Sequence, residues 1–426
     1  VSDQESPRPI SDNPHSRAGR HPILVVGGGV IGAACASFLA EQGAPVLLIE
    51  QGEFGKGCSY GNCGYVSPSH VLPLCKPGAV WGATKTFFRR NSPLQMRWRF
   101  DPTYWRWMWM FARRCNQIDM VQSGHALNAL LQSSRRIYGE LFDSGTLEDC
   151  EWETKGILFV HQNRQHFESF AKTDALIREE YGLGAVAYQE AELLAMEPAL
   201  KPGVAAGAWY YDCDAQLRPD KLMRAWRQRL EQQGVIVREN CALTHLEGGH
   251  HRVNAVMTTS GRIEVDQLVL ATGAWTRLLR QELQAFIPIE PGKGYSMTMP
   301  RPDHCPRYPM IFEDHRVAVT PFQSGYRLGS TMEFAGYDSS LSPRRLKLLT
   351  DAATLYLHDP GIEPVVESWY GWRPMSADGV PLIGRLPKWN NGWLAAGHSM
   401  LGVSMATATG RLISEMLTGA HPHIDP

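Results

Sequence analysis

Apolar and polar positions along this chain fall into blocks of different period. Residues 23–26, ILVV, form a short continuous apolar run, as a strand buried on both faces requires. A small-residue helical pattern follows, and a second apolar run ends at Glu50. The predicted order is strand, helix, strand. Gly27, Gly29 and Gly32 stand at the first junction as G-x-G-x-x-G. Gly27 permits a tight turn, Gly29 lets a phosphate approach the backbone, and Gly32 lets the helix pack against the strand. The helix start then offers free N–H groups to a pyrophosphate, and a carboxylate roughly 20 residues on suits ribose hydroxyls. The pattern predicts a dinucleotide cradle and leaves NAD and FAD both open.

Beyond Glu50, QGEFGKGCSYGNCGYVSPSHVLPLCKPGAV is rich in glycine, proline and small polar residues and reads as an irregular loop. Its length argues for a binding role. Helical patterns dominate from about 81 to 142, and EWETKGILFV at 151–160 reads as a strand entering a different sheet. A helix, a stop at Gly234 and a strand at 235–238 come next. The strand in IEVDQLVLATGAW leads into Ala271, Thr272, Gly273, Ala274 and Trp275. GYRLGSTMEFAGYD reads as strand, turn and strand. The last block joins a glycine-rich loop to a closing helix from about Gly402.

Composition narrows the classes. A chain of 426 residues can hold two domains. A net charge of −1 argues against a broad nucleic-acid surface. The nine cysteines include no close C-x-x-C pair, so no metal signature is expected, and reduced thiols in the cytoplasm are. No apolar run reaches the roughly 18 residues of a membrane span, and the start of the sequence shows no signal-peptide pattern. Residues 1–20 are polar and proline-bearing and read as a disordered tail.

Seven stretches, in order, carry a family resemblance: VVGGGVIG, CSYGNCGYVSP, LVLATGAW, GKGYSMT, YRLGSTMEFAGYD, WYGWRPMSADGVPLIG and GHSMLGVSMATATGRL. Together they resemble the FAD-dependent D-amino acid oxidase and glycine oxidase superfamily, within it the small subunits of bacterial D-amino acid dehydrogenases. The likeness spans about 22–417. It implies an α/β fold: a Rossmann-like FAD-binding domain of glutathione-reductase type and a discontinuous substrate domain with a mixed or antiparallel sheet. The implied FAD-binding pieces are 21–75, 205–285 and 360–426, and the substrate pieces are 76–204 and 286–359.

The resemblance also implies site residues. Gly27, Gly29, Val30, Ile31 and Gly32 would meet the pyrophosphate, and Glu50, with Gln51 beside it, the adenosine ribose. Ser59, Asn62, Gly64 and Val66 would follow the path toward the flavin, with Leu243 near the adenine. Ala271, Thr272, Gly273 and Trp275 would pass close to the dinucleotide. Gly371 and Arg373 would lie beside the flavin. Gly397, His398, Leu401, Gly402, Val403 and Ser404, at a helix start, would donate to the negative charge that reduction places on the flavin N1–C2=O edge. Met375 and Gly61 stand where relatives with covalent flavin carry cysteine or histidine, so non-covalent FAD is expected.

Arg327 aligns with the arginine that grips a substrate carboxylate, a task suited to a planar guanidinium. Tyr65, Tyr295 and Tyr337 are candidate substrate-pocket walls. The implied reaction is oxidative deamination of D-amino acids, of proline or hydroxyproline type among others, by hydride transfer to flavin N5, with electrons passing to a quinone or another acceptor. Two alternatives stand beside it: an oxygen-using oxidase of glycine or sarcosine type, and a flavin-binding subunit of a larger complex. Residues 97–114, RWRFDPTYWRWMWMFARR, interleave tryptophan and methionine with arginine. The segment reads either as a helix buried in the substrate domain or as a peripheral contact at the inner face of a membrane.

Overall fold

A computed structural model of the chain describes residues 21–82 and 92–425. The stretch 1–20, expected as a disordered tail, and residues 83–91 of the helical expectation lie outside the described residues. The fold is α/β and is built around two large sheets.

The first has six strands in the order Leu382–Arg385, Gly392–Ala396, Gln267–Leu270, Ile23–Val26, Val46–Ile49 and Ile236–Arg238. Only Leu382–Arg385 is antiparallel to its neighbour. Ile23–Val26 lies inside, with Val25 between Val269 and Leu48. All four of its residues are buried, which explains the unbroken ILVV run. Helix Val30–Glu41 follows the first strand, and the closing helix Gly402–Thr418 packs along it. The two backbones touch: a Cβ on Gly410 would lie 2.6 Å from the carbonyl carbon of Ala34. The closing helix also meets helix Gln117–Asp143, through Ser134 and Thr407 hydroxyls 2.7 Å apart. A three-stranded antiparallel sheet, Leu243–Gly249, Arg252–Thr258 and Gly261–Glu264, flanks this half.

The second large sheet has nine strands. Its order is Glu367–Ser376, Ile289–Met299, Gly325–Phe334, Val317–Phe322, Met310–Phe312, Ile157–His161, Gly207–Tyr211 and Val186–Gln189, with Leu94–Met96 also paired to Gly325–Phe334. Most pairs are antiparallel; Met310–Phe312 with Ile157–His161 and Leu94–Met96 with Gly325–Phe334 are parallel. Every residue of Ile289–Met299 is buried, Glu290 and Lys293 included. Glu290 is met there by Arg99 and, at 2.6 Å, by Arg277.

Three details differ from the sequence expectation. Strands Gly207–Tyr211 and Glu367–Ser376 fall inside stretches assigned to the dinucleotide half, yet their ladders run to the nine-stranded sheet. The 81–142 region is interrupted by strand Leu94–Met96 before helices Pro102–Arg114 and Gln117–Asp143. GYRLGSTMEF is one strand with a bulge, not strand, turn and strand. Its register slips opposite Lys293 and Tyr295, where Ser330 and Thr331 adopt φ of 96° and 42°. Such angles in non-glycine residues mark strain.

Candidate active site

A cavity of about 400 Å³ opens at the carboxyl ends of the parallel strands, where the chain continues into Gly27, Glu50 and Ala271. Two glycines there are fixed by sterics. A Cβ on Gly27, whose φ is 115°, would lie 2.4 Å from the Ala271 carbonyl oxygen, and one on Gly32 would lie 1.8 Å from the Gly27 carbonyl oxygen. Gly29 differs: its nearest neighbour would be the Ser59 hydroxyl at 3.5 Å, so it leaves open space beside the cavity. It is the N-cap of helix Val30–Glu41, with no side-chain cap and no acid in the first turn. The Val30 N–H donates to Ser59 Oγ at 3.0 Å. The Glu50 carboxylate accepts from the N–H of Gly28 at 2.6 Å and of Gly52 at 3.1 Å, which fixes it at the rim. A helix start with no side chain at its N-cap, a bare glycine and an oriented carboxylate fit the pyrophosphate and ribose of a dinucleotide.

The opposite end of the cavity is built by the loop before the closing helix. Leu401 is the N-cap of that helix, again without a side-chain cap or an acid in the first turn. His398 lines the cavity but is buried, with Nε2 3.0 Å from Thr409 Oγ1. Burial pushes its pKa down to about 3, so the ring is neutral and the positive field comes from the helix start. Arg373 supplies a full charge. Its Nη1 donates to the Thr331 carbonyl at 2.9 Å and its Nη2 approaches that of Ser330 at 3.5 Å. The strained bulge thus aims two carbonyls at one guanidinium on the cavity wall. Burial lowers the Arg373 pKa, with Cys58 and Cys63 opposing that shift. An aromatic wall stands beside it: Trp275 and Trp372 rings lie 4.9 Å apart, and Tyr370 is 5.4 Å from Trp372.

Of the residues implied by resemblance, Gly27, Gly29, Val30, Ile31, Glu50, Gln51, Ser59, Asn62, Leu243, Ala271, Thr272, Gly273, Trp275, Gly371, Arg373, His398, Gly402 and Val403 line the cavity. Six others form its frame. Gly32 sets the helix–strand contact, and a Cβ on Gly64 would meet the Leu217 carbonyl oxygen at 2.0 Å. Val66 pairs with Ala215 in the core, and Gly397 turns the chain at φ 83°. Ser404 Oγ donates to the Tyr65 carbonyl at 2.8 Å, and Leu401 lines a neighbouring chamber. Lys56, Cys58, Tyr370, Trp372 and Met400 also line the cavity and were not singled out from sequence. Four of the five lie in motifs quoted for the resemblance, Cys58 in CSYGNCGYVSP, Tyr370 and Trp372 in WYGWRP and Met400 in GHSMLGV, and Lys56 carried no signal.

Arg327 does not line the cavity. It is buried, and its guanidinium is occupied by protein acceptors: Nε donates to Thr298 Oγ1 at 3.0 Å, and Nη1 to the carbonyls of Tyr60 at 3.1 Å and Asn62 at 2.7 Å. It fastens the loop that carries Ser59 and Asn62 to the large sheet. The three tyrosines are similarly engaged. Tyr65 donates toward the Met310 and Val319 carbonyls, at 3.0 and 2.9 Å, and Tyr295 donates to Glu333 at 2.8 Å. Tyr337 donates to the Ala274 carbonyl at 2.7 Å and stands behind Trp275, ring centroids 4.8 Å apart.

A family model described as "DAO: FAD dependent oxidoreductase" matches residues 22–416. The chain belongs to this FAD-dependent oxidoreductase family. It is 32% identical to a D-amino acid dehydrogenase of Paramagnetospirillum magneticum, over 93% of this chain and 95% of that one. A D-amino acid dehydrogenase of Chromohalobacter salexigens is 30% identical over 95% and 97%. Among solved structures, glycine oxidase from Geobacillus kaustophilus superposes with a TM-score of 0.76 at 22% identity, covering 96% of this chain and 97% of its own; that likeness speaks to fold.

The family's FAD fits these residues, because the glycine cradle and the two uncapped helix starts match its anionic groups. The positions compared for covalent attachment offer no tether. A Cβ on Gly61 would lie 2.0 Å from the Trp369 indole, so no side chain fits there, and Met375 presents a thioether. Acid or heat precipitation of the yellow protein is expected to leave FAD in the supernatant. Colour that stays with the pellet would contradict non-covalent binding.

His398 gives a pH dependence with a definite sign. Its unfolded form takes up a proton below about 6.5, while the folded form resists until about 3. Between these values His398 binds more proton in the unfolded chain, so its contribution to stability falls as pH drops from 6.5 toward 3 and is flat above. The acid-unfolding midpoint of His398→Gln, followed by circular dichroism, should move to lower pH; an unshifted or higher midpoint would contradict the neutral buried ring.

Proposed function

We propose that this protein is a D-amino acid dehydrogenase that passes electrons to a quinone in preference to oxygen. The observation that carries the reading is Arg373, a guanidinium on the wall of the cofactor cavity, in a chain similar almost end to end to proteins named for that activity. The carboxylate grip expected of Arg327 is assigned to Arg373, because Arg327 is committed to the loop at 60–62 and lies outside the cavity. The carbonyls of Ser330 and Thr331 hold the Arg373 plane, and the N–H groups they leave would take a carboxylate through parallel charge-assisted bonds. Trp275, Trp372 and Tyr370 then exclude water and orient the α-carbon, and orientation accounts for much of the rate. Bound FAD supplies the hydride acceptor, at N5, for oxidation of the amine to an imine that water hydrolyses. His398 takes no part as a base, since it is buried and bonded to Thr409. The substrate amine therefore gives its proton to solvent on binding.

The acceptor assignment draws support from the surface. Helix Pro102–Arg114 buries Tyr104 and Trp107 and leaves Trp109 58% exposed; Trp98 and Phe100 before it are 65% and 96% exposed. Tryptophan beside arginine suits a membrane interface, where a lipid quinone resides. Among the described residues no helix is long and apolar enough to cross a membrane, so the contact proposed is peripheral.

Arg373→Ala should lower kcat/KM for D-amino acids by about 100-fold, the effect of losing two charge-assisted hydrogen bonds worth roughly 3 kcal/mol together. Arg327→Ala should instead weaken FAD retention and lower Tm. Dye-linked kinetics on the two variants decide between them: a kinetic loss confined to Arg327→Ala returns the grip to that residue.

For the acceptor, the flavin is reduced anaerobically with D-proline or D-alanine and mixed in stopped flow with either air-saturated buffer or a soluble quinone. Faster reoxidation by quinone is expected. Rapid reoxidation by oxygen with stoichiometric peroxide would make the protein an oxidase of glycine or sarcosine type. A flavin that no amine reduces would make it a flavin-binding subunit.

A further inference from the structure

A second chamber, of about 200 Å³, lies against the cofactor cavity. Ser399 and Met400 line both, so the chamber abuts the loop that closes the flavin end. Trp107 and Phe111 of helix Pro102–Arg114 form one wall, and Met96, Phe334 and Met375 face into it as well. No aspartate, glutamate, lysine or arginine is among the described residues that line it. An amino acid carries a carboxylate, and moving that group out of water with no counter-charge is strongly unfavourable. The chamber therefore suits a neutral molecule. An apolar cavity of roughly 150 Å³ accepts a benzene-sized ring, so this one has room for a single substituted ring.

One polar group gives the chamber direction. His70 lines it, and His70 Nδ1 is buried without a hydrogen-bond partner. Burial lowers the His70 pKa to about 4, against the pull of Glu313 and with the help of Arg316, so the ring is neutral at neutral pH. A neutral imidazole can present an N–H, and the natural complement is a carbonyl oxygen. Access also fits. Leu74 and Val80, which line the chamber, are themselves exposed at the surface, close in sequence to the exposed Trp81.

We propose that this chamber holds the electron acceptor, a quinone, with one ring carbonyl accepting a hydrogen bond from His70 and the ring lying among Trp107, Phe111 and Met375. This rests on the dehydrogenase reading above. The balance closes within it. An amino acid loses two electrons and two protons in becoming an imine, and a quinone gains two electrons and two protons in becoming a quinol.

The test separates binding from turnover. Holoenzyme is titrated by equilibrium dialysis with 2,3-dimethoxy-5-methyl-1,4-benzoquinone, alongside Ala112→Trp, which fills the chamber from an exposed helix position, and His70→Leu, which removes the donor. Saturable binding is expected, weakened about tenfold or more in both variants and restored in part by His70→Gln. Anaerobic bleaching by D-amino acid should keep the parent rate in all three. Unchanged quinone affinity in Ala112→Trp and His70→Leu would overturn the proposal, as would displacement of the quinone by free D-amino acid. If no amino acid bleaches the flavin, the dehydrogenase reading fails, while the dialysis result still decides whether the chamber takes the ring.

Discussion

The contact between Gly32 and the Gly27 carbonyl governs the geometry of this protein. No side chain fits between them, and Gly27 itself is pressed against the Ala271 carbonyl. Three chain segments thus meet backbone to backbone at the end of the parallel sheet. That contact seats helix Val30–Glu41 with its start at the cavity mouth. The same helix carries Ala34, on which Gly410 of the closing helix rests in close contact. The position of the closing helix is inherited from the first, and with it the second uncapped N-terminus at Leu401. Both ends of the cofactor cavity therefore depend on one pair of glycines. A side chain at Gly32 would shift the Gly29 end of the cavity and, through Ala34 and Gly410, the Leu401 end as well.

The large sheet solves a different problem, which is to carry charge through an apolar interior. Strand Ile289–Met299 is buried throughout and still contains Glu290 and Lys293. Each buried charge is matched: Glu290 by Arg99 and Arg277, Lys293 by the Ser340 carbonyl, and Arg345 by the carbonyls of Ser92, Pro93 and Met332. Removing one partner of such a set leaves an uncompensated charge, which costs more than the pair contributes. Arg327 and Arg373 belong to the same set of buried charges, and they differ in how they are held. Arg327 is anchored by three hydrogen bonds from its Nε and Nη1 and serves as a fastener. Arg373 is held by the bulge carbonyls, packs over Gly294 and lines the cavity. The strain at Ser330 and Thr331 is what aims those carbonyls, so a local distortion in one strand defines a binding group in another.

What the sequence determined by itself was local. The ILVV run, the glycine spacing and Glu50 specify a strand, a turn and a helix within about 30 residues, and a backbone-scale requirement of that kind is legible because it rests on adjacent residues. The closing helix, read from about Gly402 after its glycine-rich loop, is of the same kind, and so is the buried strand before Ala271. Tertiary structure decided which side chains reach the cavity. Arg327 and Arg373 look alike in sequence, each near a strand and a glycine, and only the pairing of Gly325–Phe334 with Ile289–Met299, and of that strand with Glu367–Ser376, sends one toward loop 60–62 and the other to the cavity. The tyrosines Tyr65 and Tyr295 met their hydrogen-bond partners across 245 and 38 residues of chain, separations at which spacing carries no information. The bulge at Ser330 and the shared wall at Ser399 and Met400 arose in the same way, from contacts between segments distant in sequence. Side-chain destination is set by long-range register, and register exists only once the sheets have formed.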